Sequence, residues 1–169
     1  VSSVSWPYQP PGEPLEVKSA LDRYTLEVDL MVVEQLSAAR TWEAAGADML
    51  VFHIEGIAFE AFQGFANETT VSVGVSAHGA TSLDELSRYA LHADYIQLMG
   101  IYEIGAQGLP FDEGVLLKIE ELKRRFPKLS ISIDGSVNTH TIQKLRDAGA
   151  DRFVCGSAIV KQPDPEMAW

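Results

Sequence analysis

Cysteine is almost absent from this sequence of 169 residues, which has only Cys155. A single thiol excludes an internal disulfide and a cysteine-based zinc site. So little cysteine is typical of proteins from a reducing compartment, and we expect a cytoplasmic protein. Because Cys155 lies within an apolar strand pattern, we expect it to be an inert packing residue.

Basic residues are scarce as well: 13 lysines and arginines stand against 24 acids, giving a formal net charge of −11. A chain so acidic would be repelled by nucleic acid and by an anionic membrane, and we expect neither as a partner. No apolar run approaches the roughly 18 residues of a membrane span, and no signal sequence opens the chain. A small anion could still bind backbone amides at a helix start.

The residues that are present describe an ordinary globular protein, 46% hydrophobic and 22% charged. Prolines at positions 7, 10, 11 and 14, with Gly12, predict an opening loop. We therefore divide the chain into residues 1–25, a loop with a lead-in helix or turn, and residues 26–169, one domain.

Short apolar segments alternate with helical patterns from Leu26 onward, and this alternation predicts a parallel sheet. The predicted strands are Leu26–Val32, Met49–Glu55, Val71–Ser76, Tyr95–Met99, Leu129–Ile133 and Phe153–Cys155. The predicted helices are Val33–Ala45, Ile57–Phe65, Ser82–His92, Asp112–Phe126 and Thr139–Ala148.

Local signals agree with these limits. Ser82 followed by Glu85 has the spacing of a capping box, and Pro127 ends the helix before it. The tetrapeptide Ala-Gly-Ala-Asp occurs at 45–48 and again at 148–151, each time between a helix and a strand. Its glycine is expected in the left-handed conformation that ends many helices. The repeat indicates one wound unit used more than once.

Polar or glycine residues follow most of the predicted strands, which favours a barrel over an open sheet. An open nucleotide-binding sheet would offer a G-x-G-x-x-G turn, and none is present. The strand-end residues are Asp29, His53, Glu55, Ser76, His78, Met99, Gly100, Asp134, Gly156 and Ser157. We expect an α/β fold of the (β/α)₈ TIM barrel type, incomplete because six strands are visible where eight are needed.

The last third of the chain is the most informative part for function. Asp134 ends one strand, and the pairs Gly135–Ser136 and Gly156–Ser157 follow two strands. Such turns can hold a phosphate on backbone amides at helix starts, although small residues also simply allow a tight turn. His53 and Glu55 alternate onto one side of their strand, so both are expected to face the barrel interior.

Taken together, these segments resemble the ribulose-phosphate 3-epimerase family of phosphate-binding barrels. The resemblance rests on L-E-V-D-L-M-V at 26–32, F-H-I-E at 52–55, Q-L-M at 97–99, I-D-G-S-V-N at 133–138 and G-A-D-R-F-V-C-G-S-A-I at 149–159. It implies a metal-assisted isomerase that transfers a proton at C3 of a pentulose phosphate. On this alignment Leu26 begins the third strand of the barrel, and strands three to eight are present.

The family implies two aspartates on opposite sides of the substrate and a divalent cation that stabilises the enediolate. Asp134 matches one of these acids, as a catalytic base and a metal ligand. Asp29 stands where the family has a histidine ligand, which favours harder cations such as Mg²⁺ or Mn²⁺; Fe and Zn stay open. Met31 and Met99 match methionines that line the family's active site, with core packing as the alternative. His53 is a candidate substrate or metal contact, although a buried histidine is more often a hydrogen-bonded core residue. Gly135, Ser136, Gly156 and Ser157 are the candidate phosphate-binding residues.

Two departures from the family pattern affect these expectations. The loop at 100–111 keeps Gly105, Ala106 and Gln107 of the family's glycine-rich closure, but Glu103 adds a negative charge near the expected phosphate. The chain opens with Val1, and the partner aspartate would lie on a strand upstream of it. We therefore expect these 169 residues alone to be inactive or nearly so, and to form homo-oligomers that cover the open sheet edges.

Other functions stay open from the sequence. A non-catalytic phosphosugar-binding or scaffold protein is compatible with Asp29 and with the altered loop. A hexulose-phosphate synthase-like lyase would require a lysine among its acids, and no lysine stands at a predicted strand end.

Overall fold

The computed structural model describes residues 13–102, 110–164 and 167. Its strands are β1 Glu27–Asp29, β2 Met49–His53, β3 Ser72–Ala77, β4 Tyr95–Met99, β5 Ser130–Asp134 and β6 Arg152–Val154. Its helices are α1 Pro14–Ala20, α2 Gln35–Ala44, α3 Phe59–Glu68, α4 Leu83–Ala90, α5 Gly114–Arg125, α6 Ile142–Ala148 and α7 Ser157–Val160, with a short 3₁₀ helix at Ile54–Gly56. None of the helices in these ranges has the length and apolar character needed to span a lipid bilayer.

The strands form one parallel sheet in the order β1-β2-β3-β4-β5-β6, the same order as in the sequence. Parallel neighbours require a crossover connection, and the helices between the strands provide it. The prediction of six parallel strands alternating with helices is confirmed. The glycines of both Ala-Gly-Ala-Asp repeats adopt the expected left-handed conformation, with φ of 90° at Gly46 and 109° at Gly149.

The two faces of the sheet differ in chemistry because side chains alternate along each strand. One face packs against the helices and is apolar. In β2, Phe52 lies 5.5 Å from the ring of Phe62 and 5.3 Å from the ring of Phe65, both in α3. The opposite face is largely polar and contains Asp29, His53, Ser76, Gln97, Ser132 and Asp134.

The sheet is curled, because side chains of its first and last strands meet across the polar face. Arg152 in β6 donates to Glu27 in β1 at 2.6 Å, and the Tyr95 hydroxyl in β4 donates to Glu27 at 2.8 Å. Gly74 leaves room for this ring, since a Cβ there would lie 2.3 Å from Tyr95. We call the space enclosed by the curled polar face the lumen.

Some predicted boundaries shift for local reasons. The first strand was predicted to reach Val32 but ends at Asp29, because Met31 and Val32 donate to the carbonyls of Asp29 and Leu30 in two tight turns. The last strand, predicted as Phe153–Cys155, is β6 at Arg152–Val154, and the short helix α7 follows it at Ser157. Of the predicted opening loop, residues 1–12 lie outside the described ranges, and Pro14 is the first residue of α1.

Candidate functional site

Four side chains that the sequence singled out stand at the carboxyl ends of their strands. Asp29, His53, Met99 and Asp134 are the last residues of β1, β2, β4 and β5. Met99 and Asp134 are also register partners on adjacent strands. The fold therefore places these four at one end of the lumen, where parallel α/β proteins bind their ligands.

Asp29 is held by two side-chain donors. Its Oδ1 accepts a hydrogen bond from His53 Nε2 at 2.7 Å, and its Oδ2 accepts one from the Gln97 amide at 2.9 Å. His53 is itself fixed through its backbone, since its N–H donates to the Gln35 side chain and its carbonyl accepts from that side chain, both at 2.8 Å. These bonds fix the orientation of Asp29 and His53 at the end of the lumen.

Gln35 and Gln97 were missed as site residues. Gln97 had a visible signal, a polar side chain in the middle of the apolar strand Y-I-Q-L-M. Gln35 had none, because it lies at the first position of α2, where glutamine is unremarkable in a sequence.

Asp134 lies in a setting that favours its neutral form. Burial raises the pKa of Asp134, and the negative charge of Asp29 raises this pKa further. The N–H of Gly135 and the nearby His53 act in the opposite direction without reversing the shift. A carboxyl group with a raised pKa is a stronger base once ionised, which suits proton transfer near neutral pH.

The described residues do not by themselves complete a site for a divalent cation. Asp29 and Asp134, the expected ligands, supply two carboxylates, and each oxygen of Asp29 accepts one side-chain hydrogen bond. Across 13–102, 110–164 and 167, no three or more histidine, cysteine, aspartate or glutamate side chains are grouped as a metal site. Asp29 is therefore arranged as a hydrogen-bond acceptor between His53 and Gln97.

The two Gly-Ser pairs differ in their relation to the helices. Gly135 and Ser136 have φ of 96° and 52°, but α6 begins only at Ile142, so the expectation that this pair starts a helix is wrong. A turn intervenes, in which Thr141 Oγ1 donates to the Ser136 carbonyl at 2.6 Å. Gly156 and Ser157 do stand at a helix start, as the N-cap and first residue of α7.

The remaining predicted residues separate into three groups. Met99 is buried, and Met31 is half-buried just after β1. Glu55 does not face the lumen: it belongs to the 3₁₀ helix, is exposed, and accepts from the N–H of His78 at 2.7 Å and from Thr81. Glu103, Gly105, Ala106 and Gln107 lie outside the described ranges.

The polar face of the sheet also contains a set of buried polar atoms without partners. They are Nδ1 of His53, Oγ of Ser76 and Oγ of Ser132, the unpartnered buried side-chain atoms found among the residues that the structure describes. Buried polar atoms nearly always have partners in folded proteins, so each unpartnered one calls for an explanation.

Known proteins resemble this chain in sequence and in fold. The model of the ribulose-phosphate 3 epimerase family matches residues 14–160. The ribulose-phosphate 3-epimerase of Schizosaccharomyces pombe is 29% identical over 159 residues, 90% of this chain and 69% of that protein. That of Bacillus subtilis is 32% identical over 150 residues, 85% of this chain and 68% of that protein. The chain thus spans about two thirds of the length of these curated relatives.

Solved structures show the same fold at lower identity. A crystal structure of 3-hexulose-6-phosphate synthase superposes with a TM-score of 0.68 at 23% identity, covering 91% of this chain and 74% of that one. The six-stranded curled sheet is therefore shared with TIM-barrel-like proteins. With the family model matching most of its length and a relative 32% identical, the chain belongs to the ribulose-phosphate 3-epimerase family.

Proposed function

We propose that the protein is an isomerase that inverts the configuration at C3 of a pentulose phosphate. Support comes from its family membership and from relatives named ribulose-phosphate 3-epimerase. We further propose that β1 to β6 correspond to strands three to eight of the barrel, and that the protein acts in the cytoplasm.

The observation that supports this function best is the setting of Asp134. A proton beside a carbonyl is weakly acidic, so its removal requires a positioned base of suitable pKa. Asp134 lies at the end of β5 with its pKa raised by burial and by Asp29. In this proposal its carboxylate removes the C3 proton to leave an enediolate, while Asp29 stays fixed by His53 and Gln97. Inversion is completed when a second acid on the opposite face returns a proton to C3, the role that the family implies for the partner aspartate.

The family implies a divalent cation, and a carboxylate pair such as Asp29 and Asp134 is part of what such a cation needs. The described residues do not complete a site, so we assign no catalytic role to an ion through them.

The phosphate is proposed to bind on the backbone amides of the turns that follow β5 and β6. Gly135, Ser136, Gly156 and Ser157 follow β5 and β6 at the same end of the sheet as Asp134. Turns of small residues allow a close approach of backbone N–H groups to an anion. Met31 and Met99 would contact the carbon chain of the sugar.

The test is exchange of the C3 proton. The protein is incubated with ribulose 5-phosphate in deuterated water, with and without added divalent metal, and deuterium at C3 is followed by NMR. We expect exchange above background even where inversion does not occur, because Asp134 alone can remove and return the C3 proton, and a loss of about 10²-fold or more in Asp134→Asn, since a positioned base contributes a factor of that size. The matched control is Asp147→Asn, an exposed aspartate in α6 that should keep full activity.

A second outcome would favour another function. A folded protein that binds ribulose 5-phosphate without exchanging C3 would be a phosphosugar-binding protein. The lyase alternative has only the fold in its favour. None of the six described strands contains the lysine that such an enzyme was expected to place at a strand end.

A further inference from the structure

The unpartnered atoms of the lumen lie along one register line of the sheet. His53, Ser76, Gln97 and Ser132 are successive register partners on β2, β3, β4 and β5, and we call them the inner row. Their strand neighbours Phe52, Val75, Ile96 and Ile131 pack in the apolar core on the other face, so the inner row points into the lumen. The four side chains form a continuous polar strip across four strands.

The Gln97 side chain of the inner row has a hydrogen-bond partner, whereas the other three residues each carry a buried polar atom without one. Gln97 donates to Asp29. His53 Nδ1, Ser76 Oγ and Ser132 Oγ have no partner, and all three residues are 0% exposed. A polar group buried without a hydrogen bond destabilises a fold. Three such atoms along one register line indicate a place prepared for polar groups from outside the chain.

The contact with Asp29 determines which ring nitrogen of His53 carries the proton. A carboxylate only accepts hydrogen bonds, so the contact at 2.7 Å requires the proton on Nε2 of His53. In the neutral ring Nδ1 is then an acceptor, and it is the nitrogen left without a partner. The two serine hydroxyls can each donate and accept. The inner row therefore matches a group that both donates and accepts, as an alcohol does.

The charges around the inner row argue against an anion. Asp134 lies two residues beyond Ser132 on β5, Asp29 accepts hydrogen bonds from two members of the row, and Glu27 lies deeper in the lumen. Arg152, the register partner of Ser132 on β6, is paired with Glu27 at 2.6 Å, which offsets its positive charge. A phosphate would be repelled here, whereas a neutral hydroxylated chain would find donors and acceptors without a charge penalty.

We propose that His53, Ser76 and Ser132 bind the hydroxyl groups of the substrate's carbon chain, with its phosphate held elsewhere. The proposal rests on the proposed function only in taking a phosphosugar as the ligand. It gives the inner row a role in selecting chain length and hydroxyl configuration, because an inverted or missing hydroxyl would leave these buried atoms unpartnered.

The test measures two properties of serine variants, their affinity for two ligands and their thermal stability. Binding of ribulose 5-phosphate and of inorganic phosphate is measured by titration calorimetry for the wild type, Ser76→Ala and Ser132→Ala. We expect each variant to bind the sugar phosphate about tenfold more weakly and to bind inorganic phosphate unchanged. The control is Ser37→Ala, an exposed serine in α2, which should change neither.

Thermal unfolding of the free protein provides the second property. Removing an unpartnered buried hydroxyl should raise Tm by roughly 2–4 °C for each serine. A purely structural serine would lower it. The combination of a more stable free protein and a weaker sugar complex is therefore specific to a ligand-binding role.

Several results would overturn the proposal. Unchanged affinity for ribulose 5-phosphate in both variants would do so. So would a lower Tm with unchanged affinity, which would show that ordered water fills the inner row. An equal loss for both ligands would show general damage to the site. If the protein exchanges the C3 proton but both serine variants bind ribulose 5-phosphate normally, this inference alone is overturned. If the variants bind ribulose 5-phosphate more weakly but the protein does not exchange the C3 proton, only the epimerase proposal is overturned.

Discussion

At the scale of single residues, environment distinguishes two aspartates that look equivalent in the sequence. Asp29 is anchored by His53 and Gln97, and its side chain is 29% exposed. Among the contacts described, Asp134 has no side-chain hydrogen bond of this kind, and burial is the main cause of its raised pKa. The first is thus suited to orient neighbours, and the second is suited to exchange a proton.

Asp134→Asn should make the folded chain more stable near neutral pH. The pKa of Asp134 is raised on folding, so the folded state binds the proton more tightly than the unfolded state does. The free energy of unfolding of the wild type therefore falls as pH rises through this raised pKa, and a neutral asparagine avoids that loss. Thermal unfolding from about pH 7 down to about pH 4 should show the variant's advantage shrinking. An advantage that stays constant with pH would contradict this assignment.

At the scale of elements, aspartates tie the amino ends of neighbouring strands together. Asp48, Asp94 and Asp151 each stand at or just before a strand, and each accepts from a backbone N–H at the start of the preceding strand, at 2.8 Å. Lys18 and Lys123 complete two of these contacts, each at 2.6 Å. The Ala-Gly-Ala-Asp repeat thus marks a structural device at the end of the sheet opposite the candidate site.

Asp94→Ala should weaken the fold without touching the candidate site. The change leaves the N–H of Val73 without its 2.8 Å acceptor, a loss of about 1–2 kcal/mol in the free energy of unfolding. Urea unfolding measures this, with Asp147→Ala on the surface of α6 as the control. Equal stability of Asp94→Ala and the control would show that water replaces the carboxylate.

At the scale of the whole molecule, the sheet is curled but open between β1 and β6 in the described structure. Arg152 and Glu27 connect these two strands across the lumen, and the Arg152 guanidinium also lies 4.9 Å from the Tyr95 ring centroid. Burial and the adjacent Glu27 raise the pKa of Tyr95, so its hydroxyl stays a donor to that carboxylate. The cluster holds the ends of the sheet at a fixed curvature.

Arg152→Met should destabilise the chain, because Glu27 then loses its cationic partner. We expect a loss of about 1–3 kcal/mol, less than for a fully buried pair since Arg152 is 34% exposed. The double variant Arg152→Met with Glu27→Gln should recover part of this loss, as removing both charges leaves none uncompensated. Purely additive effects in urea unfolding would contradict the coupling.

The open edges also predict self-association. β1 and β6 each pair with one neighbour in the described sheet, so each leaves backbone groups free to pair with another chain. We expect light scattering after size-exclusion chromatography to give a mass above that of a monomer at micromolar concentration. A monomer at every concentration would show that the edges are protected.

The sequence by itself determined the alternation of strands and helices, the left-handed glycines and the polar strand ends. These features depend on local periodicity and on backbone preferences, which neighbouring residues set. The tertiary structure decided what the polar residues do. Asp29 meets Gln97 across 68 positions of sequence, and Glu27 meets Arg152 across 125. Those partners depend on how the sheet curls, and no local pattern encodes that curvature.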